Sequence, residues 1–183
     1  MKGVIFTSLA DMIESQYGLS FWNQLLELCP LSTGGAYTAS GIYPDSEIMC
    51  LVSALSQKLE VPQEFLLNAF GEYLFSTLAD LHPYFVTHHS NPVSFLITVE
   101  NVIHADVEKL YPQTHFPFLD FVQKSENELT LQYHSARQLC ALAEGLIKGV
   151  AKYFKQEVAI IHSNCMLRGD DHCLMEISFY DRD

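Results

Sequence analysis

Apolar residues recur every three or four positions through the first 110 residues and then, beyond Tyr111-Pro112, every second position. The first period belongs to helices with one buried face, the second to strands. Ile5, Leu9, Met12 and Ile13 predict a helix over 3–16, and Phe21, Trp22, Leu25 and Leu26 a second over 19–29, divided at Tyr17-Gly18. Small and turn-forming residues make 32–41 the longest irregular connection of this part of the chain. Further helices are predicted over 45–59, capped by Asp45 or Ser46, over 61–81, opened by Val61-Pro62, and over 82–89. Gly71 interrupts the helix over 61–81. A glycine there costs about 1 kcal/mol against alanine, so it marks either close packing or a bend. Strand-like runs then cover 117–123, 128–133, 157–162 and 173–179, with turns at 124–127 and 168–171 and a helix over 135–154. The expected fold is α+β. A helical half, 1–110, precedes a small antiparallel sheet of about four strands packed on helices, 111–183, as one domain over 1–183.

The stretch 91–110 stands out. Asn91 as cap and Pro92 at the first helical position form a start signal, and Phe95, Leu96, Ile97, Val99, Val102 and Ile103 make the helix apolar almost all round. Such a helix must be wrapped on most sides, which puts His104 in a nearly dry interior. A buried imidazole can be a satisfied core residue, a general base or a metal ligand.

Composition narrows the partners. The 183 residues are 49% apolar with a formal net charge of -12, a field that repels nucleic-acid phosphates and anionic lipid surfaces. No run has the length of a membrane span and the start does not read as a signal peptide, so a soluble cytoplasmic protein is expected. Five cysteines without a secretion signal argue against a disulfide framework. Cys29 and Cys50 sit among leucines and read as buried small hydrophobes.

The other three cysteines lie toward the C-terminus near His162. Cys140, His162, Cys165 and Cys173 have the ligand types and spacing of a tetrahedral zinc site, with a hairpin supplying three ligands and Cys140 reaching in from a helix. His172 is a possible substitute, and a cluster of reduced cysteines is the alternative.

Tyr133-x-Ser135-x-Arg137 lies where a strand hands over to a helix. Ser135 and Gln138 have capping-box spacing. Capping leaves Tyr133 and Arg137 unexplained. Two hydroxyls and a guanidinium beside a helix N-terminus suit a carboxylate or a phosphate.

Taken together, the opening Met1-Lys2-Gly3, the helix-borne His104, Pro117 and Tyr133-x-Ser135-x-Arg137 resemble the haem nitric oxide/oxygen-binding (H-NOX) family, in the bacterial stand-alone form related to the haem domain of soluble guanylate cyclase. The resemblance runs over essentially the whole chain. It implies haem b (iron protoporphyrin IX) buried between the two halves, with His104 as axial iron ligand, Tyr133, Ser135 and Arg137 on the propionates, Pro117 pressing on the porphyrin and Ile5 lining the other face. The residue chemistry agrees, since a neutral imidazole in an apolar shell suits iron and two propionates need several donors.

Laying the family pattern on the chain puts distal positions at Leu9, Leu74 and Leu142, none of which donates a proton. Bound oxygen gains from a donor and nitric oxide does not need one, so the resemblance implies a nitric oxide sensor, also able to bind CO. In it, nitric oxide weakens the bond from iron to His104 and the halves shift, with Gly71 a candidate pivot. The chain carries no output motif, and the family implies a separate signalling protein such as a histidine kinase or a cyclic-di-GMP enzyme. Two other readings remain. A haem enzyme needs polar distal groups that three leucines do not supply. A haem-free zinc module binding a small apolar ligand would make His104 an ordinary core residue.

Overall fold

The computed structural model describes residues 1–113 and 115–182. Helices α1 (Gly3–Tyr17), α2 (Leu19–Glu27), α3 (Asp45–Leu59), α4 (Gln63–Leu81) and α5 (Pro83–Thr87) lie where the helical periodicity puts them. Their apolar faces meet in one core that includes Phe6, Leu9, Leu25, Leu51, Phe70 and Leu74. Asp45 does not cap α3; Pro44 holds that position and Asp45 is the first helical residue.

The irregular connection over 32–41 is tied to this core by a buried acid. Glu47 of α3 is 4% exposed, and its carboxylate accepts hydrogen bonds from Ser32 Oγ at 2.6 Å, Thr33 Oγ1 at 2.7 Å, the Thr33 amide at 3.1 Å and Tyr37 Oη at 2.7 Å. Burial alone would raise its carboxyl, but these donors outweigh it and hold the group at about 2.

The 91–110 stretch departs from a single wrapped helix. Asn91 does cap, accepting from the Ser94 amide at 2.8 Å, and α6 (Pro92–Thr98) buries Val93, Phe95 and Leu96. The backbone then widens into a π-helical turn over Val99–His104 before α7 (Ala105–Leu110). The wider turn shifts the angular register of its own residues and of α7, so Val102 is 45% and Leu110 73% exposed. His104 is accordingly half-buried, not dry.

Strands β1 (Phe118–Gln123), β2 (Glu128–His134), β3 (Gln156–Asn164) and β4 (Cys173–Asp181) form one antiparallel sheet in the order β1-β2-β4-β3. Alternation works as the period of two requires: Leu129, Leu131 and Tyr133 of β2 and Cys173, Met175, Ile177 and Phe179 of β4 face inward. Helix α8 (Cys140–Tyr153) covers that face with Ile147, Val150 and Ala151. It begins five residues later than the periodicity suggests, because 135–139 form a turn in which Gln138 takes a positive φ of 52°. The capping box is therefore absent: Ser135 Oγ accepts from the Arg137 amide at 3.2 Å, and the Gln138 amide goes back to the Ser135 carbonyl at 3.0 Å.

The two cores meet where α4 crosses α8. Gly71 lies against the backbone of Leu142, Gly145 and Leu146, and Gly145 against Asn68 and Gly71, so a Cβ on either would strike main-chain atoms. Close packing, not a bend, is thus the reason for Gly71, since α4 runs unbroken through it.

The Glu47 network generates a prediction with a definite sign. A carboxyl held below its unfolded value stabilises the fold above the ordinary carboxyl range, and that contribution is lost as pH falls from about 4 toward 2. Glu47→Gln should lower unfolding free energy at pH 7 by about 2–4 kcal/mol and flatten the acid limb of stability against pH. Chemical denaturation of both proteins between pH 7 and pH 3 measures this.

Candidate functional site

His104 closes the π-helical turn, and its Nδ1 lies 2.9 Å from Glu100 Oε2, one turn earlier. Its ring stacks on Phe116, centroids 4.3 Å apart at 22°. Burial lowers its pKa, partly offset by Glu100, which favours the protonated ring. A neutral imidazole that donates from Nδ1 to a carboxylate carries its lone pair on Nε2, the arrangement that outer carboxylates impose on metal-binding histidines. Neither Glu100 nor Phe116 is singled out by the sequence pattern. Glu100 was legible, being an acid four residues before His104 on a helix.

Tyr133, Ser135 and Arg137 sit at the end of β2 and in the following turn, not at a helix N-terminus, because α8 starts only at Cys140. Tyr133 is 2% and Ser135 7% exposed. Burial pushes the Tyr133 hydroxyl up to about 12, against the lowering effect of its hydrogen bond with Ser135. It is a neutral donor at any physiological pH. Arg137 is held by Asp45 Oδ2 at 3.2 Å and by the His115 carbonyl. That pairing joins α3, the segment before β1 and the turn after β2. A carboxylate ligand approaching Arg137 would find a guanidinium already oriented by Asp45.

Leu9 and Leu74 are fully buried in the helical core, with Ile5 and Leu142 half-buried against it; Pro117 is half-buried just before β1. These side chains offer hydrocarbon only.

The second constellation gathers ligating atoms of four residues. One from each of Cys140, His162, Cys165 and Cys173 all lie within 4.8 Å of one another, and Cys140 Sγ and Cys165 Sγ are 3.9 Å apart. Thiolates bound to one zinc at about 2.3 Å stand about 3.8 Å apart in a tetrahedron. Burial first, then the neighbouring Cys173 and Cys165, push the Cys140 thiol far above its ordinary range, and burial likewise raises Cys173. A divalent cation removes that conflict by making thiolates favourable. Two further details fit a metal. The Met166 amide donates to Cys173 Sγ at 3.3 Å, and His162 Nε2 is buried without a hydrogen-bond partner among the described residues while Nδ1 meets Glu144 Oε1 at 2.7 Å. His172 is not part of the cluster.

A family model described as haem-NO-binding matches residues 2–162. The chain belongs to this family. An H-NOX protein from Shewanella oneidensis in the Fe(II)NO ligation state is 37% identical and superposes with a TM-score of 0.92 over 99% of this chain and 100% of that one. Unliganded Fe(II) H-NOX from K. algicida is 30% identical, TM-score 0.91, over 100% and 98%. The Shewanella woodyi H-NOX, solved with IWP-051 in the Fe(II)CO state, is 33% identical, TM-score 0.83, over 97% and 94%. A search of curated protein sequences finds no match. The H-NOX architecture, a helical half joined to a four-stranded antiparallel sheet, is thus that of a haem-based gas sensor. Among the described residues no helix is long and apolar enough to cross a membrane.

In the haem-free chain His104 should titrate below the ordinary imidazole range, and Glu100→Gln should lower it further by removing the charge that favours imidazolium. Nuclear magnetic resonance titration of the His104 ring protons in the two proteins tests both the direction and the partner.

Proposed function

We propose that this H-NOX chain is a cytoplasmic haem-based nitric oxide sensor that acts on a separate signalling protein and is not itself an enzyme. The observation that carries the reading is His104, its Nδ1 committed to Glu100 and its Nε2 thereby suited to iron, in a chain whose relatives are solved with Fe(II), NO and CO. Haem b would supply the ferrous iron that takes nitric oxide, or carbon monoxide. Tyr133, Ser135 and Arg137 would donate to the propionates, Arg137 with Asp45 behind it. Pro117 would bear on the porphyrin from the side of His104. Ile5, Leu9, Leu74 and Leu142 would line the other face, and these four side chains offer bound oxygen no donor and no group to move protons.

Signalling follows from release of His104. Freed from iron, the histidine would no longer pin the π-helical turn, whose half-buried residues have little core to lose by moving. The helical half would then shift against the sheet, with the Gly71–Gly145 crossing, where the backbones of α4 and α8 touch, as the pivot. The readout passes to a partner such as a histidine kinase or a cyclic-di-GMP enzyme.

The four-ligand cluster supports a structural zinc beside this function. Cys140, His162, Cys165 and Cys173 would hold the ion, tying the start of α8 to β3 and β4.

Recombinant chain supplied with haem should show a Soret band, bind NO and CO when ferrous, and give no stable oxy spectrum in air. A stable oxy spectrum would overturn the selectivity, and a colourless protein the whole sensor reading. His104→Gly with imidazole supplied in trans should still bind nitric oxide but lose the conformational response, read by hydrogen exchange over 99–110. Metal analysis of protein purified without added zinc should give about one zinc per chain.

A further inference from the structure

Glu144 has no place in the family motif, yet it stands within hydrogen-bonding distance of a metal-type histidine. Its Oε1 is 2.7 Å from His162 Nδ1, and the pair is largely buried, with side-chain exposures of 23% and 17%. Cys140 and Glu144 are four residues apart and so share one face of α8. His162 comes from β3, so the contact spans helix and sheet. The His162 Nε2 is buried without a partner, and the ring contributes one nitrogen to a group of ligating atoms that includes three sulfurs. An orphaned nitrogen in a dry interior is costly unless something takes it up.

We propose that Glu144 is the positioning residue of the zinc centre: by accepting the Nδ1 proton of His162 it fixes the ring tautomer and turns Nε2 onto the metal. This rests on the zinc reading above and adds a component to it. Two chemical consequences follow. A carboxylate behind the imidazole makes it a stronger donor, and it prepays the ordering of the one ligand that is not a cysteine. Glu144 also brings the centre a further negative charge. Three thiolates and a zinc ion already total minus one, and a Glu144 carboxylate would take the centre to minus two. Arg168 lies close by, its Nη2 bonded to the His162 carbonyl at 2.8 Å and the Ser163 carbonyl at 3.1 Å, and offsets part of that charge.

The test uses the full chain, reduced and stripped of metal, with zinc ion as the probe and a chromophoric chelator as competitor. Wild type should take up one zinc, and Cys140→Ser should lose most of that affinity. Glu144→Gln, which has nearly the same shape, should bind zinc about ten- to a hundredfold more weakly. Its metal-free form should melt at the wild-type temperature, and its cobalt(II) derivative should show a shifted visible band. Equal zinc affinity in wild type and Glu144→Gln would overturn the role of Glu144 and leave the zinc reading standing. An affinity loss accompanied by an equal loss of stability in the metal-free form would reduce Glu144 to packing and likewise overturn it. No zinc uptake by wild type would overturn the zinc reading itself, and this inference with it.

Discussion

The contact on which the rest of the molecule depends is the crossing of α4 and α8, where Gly71 and Gly145 let two helix backbones touch. Packed interiors do not deform continuously, so removing two side chains at a crossing fixes the helices at a separation that no other pair of residues would allow. The crossing joins two otherwise separate apolar cores, with Leu146 packed against both. It also sets what each helix presents nearby. Leu74 lies on α4 one turn beyond Gly71, and Leu142 on α8 just before Gly145, so the hydrocarbon pair proposed for the gas-binding face is carried by the two helices on either side of this close crossing.

Helix α8 therefore serves three groups at once. Its first residue, Cys140, belongs to the thiol and imidazole cluster; Leu142 faces the helical core; Glu144 holds His162; and Ile147, Val150 and Ala151 cover the sheet. The turn over 135–139 is bracketed by the same features. Tyr133 pairs with Cys173 across β2 and β4, and Arg137 is three residues before Cys140. The donors of the motif and the ligands of the cluster are neighbours in the chain and across the sheet, so a metal ion in the cluster would stiffen both ends of the segment that carries Ser135 and Arg137.

Much of this was legible in the sequence, and the failures share a cause. Helices α1 to α4, the order of strands and turns and the cap at Asn91 follow from periodicity and local hydrogen bonding, which act over a few residues. The four-ligand cluster was also visible, because cysteine and histidine are scarce enough for their spacing to mean something. Departures from regular backbone could not be read. The apolar residues over 99–110 keep helical spacing, but a π-helical turn changes the angle per residue and sends Val102 and Leu110 outward. Ser135 and Gln138 have the spacing of a capping box, but Gln138 adopts a left-handed conformation and the helix starts at Cys140. Asp45, read as a helix cap, is instead the partner of Arg137 ninety-two residues away. No local pattern reveals a pair so far apart.

The two histidines show how one physical rule serves different ends. In each case a carboxylate occupies Nδ1, Glu100 for His104 and Glu144 for His162, and the opposite nitrogen becomes the reactive one. Their surroundings differ. His162 sits in a strand beneath α8, among buried sulfurs, where the β3–β4 pairing shifts register. His104 ends a π-helical turn that, like α7 after it, holds no fully buried residue, and it stacks on one aromatic ring, so few buried contacts oppose displacement. A ligand that must stay needs the first setting, and one that must let go needs the second. On the reading proposed above, in which His162 would hold zinc and His104 iron, the domain would carry a rigid anchor and a releasable one, which is the arrangement a switch requires.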